Sequence, residues 1–141
     1  MSAAIVTVAA DTPVEDVGSW PQWRRQEIET AVAGNGRVGS ILASENNRVR
    51  VWTISLKPGE RLPFHKHVLD YFWTATAAGT TRSHYSDGRI AVSSVKPGDT
   101  RHYSFGNGEY MVHDLENIGS TVVAYVTVEL KQSANQPLPL D

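Results

Sequence analysis

The amino-acid sequence predicts an all-β sandwich or barrel preceded by a single helix. From Arg37 onward, short segments rich in β-branched and aromatic residues recur, separated by turns of Pro, Gly, Asn and Asp. A chain of 141 residues has the length of one domain, and it can bury a core without disulfides. We expect a barrel over residues 37–131, an N-terminal extension of strand and helix over 1–36, and a tail over 132–141.

The composition excludes several classes of function. The chain has no cysteine, so disulfides, thiolate metal sites and cysteine nucleophiles are ruled out, and metal ligands must be His, Asp, Glu or backbone oxygen. The net charge of −2 lacks the basic excess that nucleic-acid binding needs. The first residues lack a positively charged region, and no apolar segment is long enough to span a bilayer. We expect a cytoplasmic protein with a small-molecule substrate, and no nucleic-acid or membrane partner.

The N-terminal extension is predicted to contain a short strand and then the helix. Residues 4–9 form a β-branched run that suits an edge strand or an arm pairing with another subunit. Ser19 is expected to cap a helix that begins near Pro21 and ends at Gly34 and Gly36. The apolar positions of this helix are Trp20, Trp23, Ile28 and Val32.

The barrel strands are predicted from alternation and from turn residues. Residues 48–56 alternate with β-forming residues on both faces, which is typical of an interior strand. Lys57-Pro58-Gly59-Glu60 is expected to form a type II turn, and Lys96-Pro97-Gly98-Asp99 repeats it. The repeat suggests two pseudo-symmetric halves, because a histidine-bearing strand follows each turn. Asp87-Gly88 and Gly106-Asn107-Gly108 mark further turns, and the other predicted strands span 71–77, 80–86, 89–95, 110–116 and 121–130.

Two histidines on one strand form the strongest chemical signal. His65 and His67 are two residues apart, so on an extended strand both rings project from the same face. If His113 folds back onto this strand, three imidazoles can bind one metal ion. The alternative is that these are ordinary strand histidines, which is the default interpretation of an isolated His-x-His pair.

The spacing of glycines around these histidines resembles the two motifs of small single-domain cupins, the metal-binding monocupins of the RmlC-like superfamily. The first motif, G-x5-H-x-H-x(3,4)-E-x6-G, is matched by Gly59, His65, His67 and Gly79. The second motif, G-x5-P-x-G-x2-H-x3-N, is matched by Gly98, Gly106, His113 and Asn117. The resemblance covers residues 40–130 and implies a double-stranded β-helix barrel, a divalent transition metal, and a homodimer formed through a flat sheet face.

The sequence departs from these motifs in two places. Phe72, or Tyr71 on the shorter spacing, replaces the glutamate ligand, and Asp70 precedes that position. In the second motif Ser104 replaces the proline, and four extra residues precede His113. The resemblance therefore implies either a three-histidine site or one completed by Asp70. Tyr71 as a phenolate is a third alternative, disfavoured by a usual pKa of about 10.

Other residues have weaker signals. His102 and Tyr103 are candidates for moving protons, although His102 and His84 also suit surface or packing roles. Asn117 is expected to brace a loop by hydrogen bonds. The arginines that could bind a substrate carboxylate, or lie solvated at the rim, are Arg61, Arg82 and Arg101. The aromatic residues expected to divide between core and pocket are Trp52, Phe64, Phe72, Trp73, Tyr85, Tyr103, Tyr110 and Tyr125.

These features favour an enzyme over a passive binder. A three-histidine site leaves coordination positions open, as in the thiol and diketone dioxygenases that the site resembles, so a non-haem iron(II) dioxygenase acting on a chelating substrate is the leading hypothesis. The alternatives are a Lewis-acid isomerase or lyase using zinc, nickel or manganese, and a non-catalytic small-molecule binder.

Overall fold

The computed structural model describes residues 13–140, which form one α-helix and nine β-strands. The helix α1 spans Gln22–Gly34 and follows a 3₁₀ turn at Val17–Ser19. The strands, in chain order, are β1 (Ile41–Glu45), β2 (Val49–Leu56), β3 (Arg61–His67), β4 (Tyr71–Ala77), β5 (Gly79–His84), β6 (Ile90–Val95), β7 (Thr100–Tyr103), β8 (Met111–Asn117) and β9 (Val123–Leu130). The strand predicted at residues 4–9 lies outside the described residues.

The strands form two antiparallel sheets. The larger sheet has the order β1-β2-β9-β4-β7, and the smaller has the order β3-β8-β5-β6. Side chains from both sheets meet in the interior, where a buried cluster joins Ile54 of β2 and Tyr125 of β9 to Leu62 of β3. The all-β prediction is confirmed. β2 lies between β1 and β9, as its apolar pattern on both faces predicted.

The repeated Lys-Pro-Gly turns have the predicted geometry. Gly59 and Gly98 both have a positive φ, at 85° and 94°, and this is the conformation that the third position of a type II turn requires. Each turn is closed by a backbone hydrogen bond, from Glu60 N to Lys57 O at 2.9 Å in the first. Strand ends differ from the predicted bounds by a few residues, and β1 was not distinguished in the sequence because Ile41–Glu45 is mostly exposed.

The start of the helix corrects the prediction. Ser19 does not cap α1, because it belongs to the preceding 3₁₀ turn and its hydroxyl donates to the Asp16 carbonyl at 2.6 Å. Pro21 occupies the N-cap position without a side-chain cap. Trp23 is 50% exposed and is not a core residue, since its ring lies beneath the Arg24 and Arg61 guanidinium groups. The helix ends at Gly34, as predicted.

The C-terminal tail, as far as residue 140, packs on the barrel. The Asn135 amide donates to the carbonyls of Val68 and Gly106, both at 3.0 Å. Arg37 Nη1 donates to the Leu140 carbonyl at 3.3 Å. Within residues 13–140 no helix is long and apolar enough to cross a membrane. The cytoplasmic location remains a prediction.

Candidate metal centre and adjacent cavity

Three histidines converge inside the barrel. His65 and His113 are direct partners across the β3–β8 pair, and His67 follows on the same face of β3. One ring nitrogen of each lies within 4.8 Å of the others, and the Nε2 atoms of His67 and His113 are 3.2 Å apart. Two imidazoles bound to one ion at about 2.0–2.1 Å place their nitrogens roughly 3–3.4 Å apart, so this spacing fits a shared metal.

The chemistry of these side chains suits a metal ligand set. Burial lowers the pKa of His65 to about 4, although the Pro63 carbonyl partly offsets this effect. Burial, together with repulsion from the neighbouring rings, holds the pKa values of His67 and His113 well below the usual value. All three rings are therefore neutral at pH 7 and can donate a lone pair without first losing a proton.

The hydrogen bonds around the rings show which nitrogens are available. His65 Nδ1 lies 2.8 Å from the Pro63 carbonyl oxygen, which can only accept, so Nδ1 bears the proton and Nε2 bears the lone pair. The Nδ1 atoms of His67 and His113 are buried without a hydrogen-bond partner. In rings that bind a metal through Nε2, these Nδ1 atoms would carry the proton without a hydrogen-bond partner, so the stacked rings of Tyr71 and Tyr85 rather than hydrogen bonds orient His67 and His113.

The helix holds the histidine strand in place. β3 is an edge strand, and its outward-pointing amides are bonded to the helical segment: Phe64 N donates to Glu27 at 2.8 Å, and Lys66 N donates to the Asn35 carbonyl at 2.7 Å. The Asn35 amide returns a bond to the Phe64 carbonyl at 2.9 Å. His65 therefore lies between two positions anchored to the helix, which fixes the direction of its ring.

Aromatic rings separate the histidines from a cavity of about 100 Å³. Tyr71 stacks on His67 with ring centroids 4.0 Å apart, and Tyr85 stacks on His113 at 5.4 Å. Tyr103 stacks on Tyr71 at 4.7 Å. The cavity is lined by Ile54, Trp73, Thr81, Ser83, Tyr85, Ala91, Ser93, Val95, Arg101, Tyr103, Leu115, Tyr125 and Thr127. Tyr85 and Tyr103 therefore belong both to the cavity wall and to the aromatic layer against the histidines.

Comparison with known proteins identifies the fold. No family model and no curated protein matches the sequence. Among solved structures, a cupin domain from Bordetella pertussis is 22% identical, covers 70% of this chain and 96% of its own, and has a TM-score of 0.57. A Klebsiella pneumoniae protein with a double-stranded β-helix domain is 24% identical, covers 73% and 86%, and has a TM-score of 0.53.

The chain has the cupin fold. The double-stranded β-helix predicted from the glycine and histidine motifs is thus confirmed. The cupin motif residue Asn117 braces a loop, as predicted, because its amide donates to the carbonyls of Leu56 and Thr121 and its oxygen accepts from Gly119 N.

The structure places Asp70 and Tyr71, the two candidate replacements for the glutamate ligand, away from a ligand role. The metal-compatible cluster found in residues 13–140 consists of the three histidines, without Asp70. The Asp70 carboxylate instead accepts a hydrogen bond from Phe105 N at 2.9 Å. Burial raises the pKa of Tyr71 well above its usual value, so this phenol is neutral and packs against His67 through its ring face.

The two candidate proton-moving residues lie on opposite faces of β7. His102 is paired with Phe72 and is exposed on the outer face of the larger sheet, so it is not brought to the site. Tyr103 points inward, because side chains alternate along a strand, and it lines the cavity. His84 is buried on the far side of the smaller sheet and lies 3.2 Å from Asp114.

The three candidate arginines differ in location: two form ion pairs outside the cavity and one lines it. Arg61 pairs with Glu27 and Asp114, and Arg82 pairs with Glu116, whereas Arg101 reaches the cavity. Sequence reasoning missed the hydroxyl-bearing wall of the cavity, formed by Thr81, Ser83 and Thr127. Alternation in the segment 80–86 places Thr81, Ser83 and Tyr85 on one face, and this is the signal that could have identified them.

Proposed function

We propose that this protein is a metal-dependent cupin enzyme that acts on a small organic molecule, with iron(II) at a three-histidine site and dioxygen as co-substrate. The observation that supports this proposal most directly is the convergence on one point of three neutral imidazoles, those of His65 and His67 buried and that of His113 half-buried. Iron(II) would supply a Lewis-acidic, redox-active centre with coordination positions left for substrate and dioxygen. His65, His67 and His113 would hold it.

The residues around the histidines have roles that suit such chemistry. The rings of Tyr71 and Tyr85 cover His67 and His113 and exclude water from that side. Three neutral ligands do not compensate the charge of a divalent ion, which favours an anionic or chelating substrate. Tyr103 can hold a proton at the cavity wall, because burial raises the pKa of its phenol and the hydroxyl keeps a hydrogen that it can donate.

A Lewis-acid isomerase or lyase using zinc, nickel or manganese is the second candidate. The observation favouring it is the same Tyr103 hydroxyl, placed where it could move a proton on a bound carbonyl compound without any need for dioxygen. A non-catalytic small-molecule binder is the third candidate. It would be favoured if replacing His113 abolished metal binding without changing ligand affinity.

Nitric oxide, an analogue of dioxygen, tests the leading proposal without knowledge of the substrate. Metal-free protein is loaded with iron(II) under anaerobic conditions, exposed to nitric oxide and examined by electron paramagnetic resonance. We expect an iron–nitrosyl signal in the wild type and its loss in His113→Ala. Iron that binds stoichiometrically but gives no such signal would contradict the dioxygenase proposal and favour the Lewis-acid enzyme.

We also propose that the chain forms a homodimer through the outer face of the larger sheet. Its three central strands, β2, β9 and β4, have no charged residue at their outward positions. At the centre, Val128 lies between Val51 and Phe72 on the neighbouring strands. Ile41 and Leu130 extend this surface and are 63% and 38% exposed. A second copy presenting the same uncharged face is the occupant that this surface fits.

A further inference from the structure

The candidate ligands point into the barrel, whereas their neighbours in the chain point outward toward the helix. Side chains alternate along a strand, so the residues on either side of His65 and His113 face the outside of the smaller sheet. There, Phe64 of β3 and Val112 of β8 belong to a buried cluster with Ile28 of α1. The helix therefore packs directly behind the part of the sheet that carries these two histidines.

On β3, the helical segment bonds the residues on both sides of His65. The Asn35 amide donates to the Phe64 carbonyl at 2.9 Å, and the Asn35 backbone carbonyl accepts from Lys66 N at 2.7 Å. The Lys66 ammonium also donates to the Val32 carbonyl of the helix at 3.0 Å. Because Asn35 directly follows the last residue of α1, a shift of the helix end would move the backbone on both sides of His65.

On β8, an ionic link joins the helix to the residue after His113. Asp114 is 1% exposed and accepts from Arg61 at 3.0 Å, and Arg61 also donates to Glu27 of α1 at 2.7 Å. The residue before His113 is Val112, which packs in the cluster beneath the helix. The chain neighbours of both histidines are thus held by α1, either directly or through Arg61.

We propose that α1 preorganises the metal centre and that Asn35 is a positioning residue for it. The inference rests on the proposed function, because it concerns the affinity of the three histidines for a metal ion. A residue that fixes the direction of a ligand changes metal affinity without touching the ion. Such coupling is reciprocal, so a bound metal ion also strengthens the docking of α1 on β3.

Titration of metal-free protein with cobalt(II) tests the role of Asn35. The visible absorption of bound cobalt measures affinity and depends on the coordination geometry. We expect Asn35→Ala to weaken cobalt binding by about tenfold and to change the spectrum. Asn35→Asp keeps an oxygen for Arg37 N, which lies 3.1 Å from Oδ1, but loses the donor to the Phe64 carbonyl. It should therefore behave like Asn35→Ala.

Asn46→Ala is the matched control. The Asn46 side chain accepts from Arg48 N at 2.8 Å and from Val49 N at 2.9 Å, in the turn between β1 and β2 of the larger sheet. This variant should bind cobalt as the wild type does. Wild-type affinity and spectrum in both Asn35 variants, or an equal loss in Asn46→Ala, would overturn the role of Asn35. A wild type that binds no cobalt would instead contradict the metal centre and the proposed function with it.

Hydrogen–deuterium exchange of the wild type tests the coupling without any substitution. We expect cobalt to slow amide exchange in α1 more than in β1, an edge strand of the larger sheet that carries no candidate ligand. This measurement decides the question even if the Asn35 variants fail to fold. Exchange in α1 that bound cobalt leaves unchanged would overturn the proposal.

Discussion

Glu129 is a carboxyl group buried inside the barrel, directly across from Tyr71 on the neighbouring strand. Burial raises its pKa to about 7, although the Trp52 indole donates to it at 2.7 Å and lowers the pKa in part. Between pH 4.5 and 7 the unfolded chain loses this proton while the folded chain keeps it. Glu129 therefore makes the free energy of unfolding decrease as pH rises through that range.

Glu129→Gln should remove this pH dependence. A shift from 4.5 to about 7 corresponds to up to about 3 kcal/mol, so the wild type should lose that much more stability than the variant between pH 4.5 and 7.5. Urea denaturation across this range measures the difference. Parallel pH profiles for the two proteins would show that Glu129 is ionised in the folded state at neutral pH.

At the scale of elements, the contact between the helix and β3 depends on a partly buried ionic network around the buried Asp114. Arg61 donates to Glu27 at 2.7 Å and to Asp114 at 3.0 Å, and Asp114 also accepts from the backbone of His84 at 2.7 Å. Burial alone would raise the pKa of Asp114, but the bonds from His84 and Arg61 outweigh it and lower the pKa. The stabilisation from Asp114 is present above its unfolded pKa and is lost as pH falls below that value.

Asp114→Asn should destabilise the fold by about 1–3 kcal/mol, because it removes one carboxylate from a partly buried arginine that still pairs with Glu27, and weakens the attachment of the helix. Glu116→Gln is the control, since Glu116 of β8 also pairs with an arginine, Arg82 of β5, but both side chains are partly exposed. Its cost should be below about 1 kcal/mol. If chemical denaturation shows that the two variants lose equal free energy of unfolding, a special role for the network around Asp114 is contradicted.

Some elements could be predicted from the sequence because their causes are local. Positive φ at Gly59 and Gly98 follows from the turn residues themselves, and the shared face of His65 and His67 follows from strand alternation. Other features depend on distant partners. No local pattern shows that the Asp70 carboxylate accepts a hydrogen bond from Phe105 N. Nor does any show that Pro21 rather than Ser19 occupies the N-cap position of the helix. The sequence could have assigned His102 and Tyr103 to opposite faces of the sheet, because neighbouring residues on a strand point in opposite directions.

For the whole molecule, the two-sheet architecture was predictable from turn spacing, whereas the arrangement of its surfaces was not. The uncharged outer face of the larger sheet arises only when β2, β9 and β4 are placed side by side, because they are far apart in the chain. The cavity likewise combines residues of both sheets. Sequence alternation shows which residues share a face of one strand, but not which strands are neighbours.

The proposed dimer gives a prediction at this scale. Val128→Lys places a charge at the centre of the outer face, where it lies beside Val51 and Phe72, so we expect it to convert a dimer to a monomer. Light scattering after size-exclusion chromatography measures the mass. Ser94→Lys, at an exposed site on β6, controls for an added charge and should remain dimeric. A wild type with the mass of one chain would contradict the proposal.

The central claim is that His65, His67 and His113 share one metal ion, and metal analysis of protein purified without a histidine tag tests it most directly. We predict near-stoichiometric metal in the wild type and in His102→Ala, whose ring lies on the outer face, and its loss in His113→Ala. Iron would support the dioxygenase, whereas zinc, nickel or manganese would favour the Lewis-acid alternative. If the wild type retains no metal and binds none on titration, or if His113→Ala binds as much as the wild type, the account of this site is contradicted.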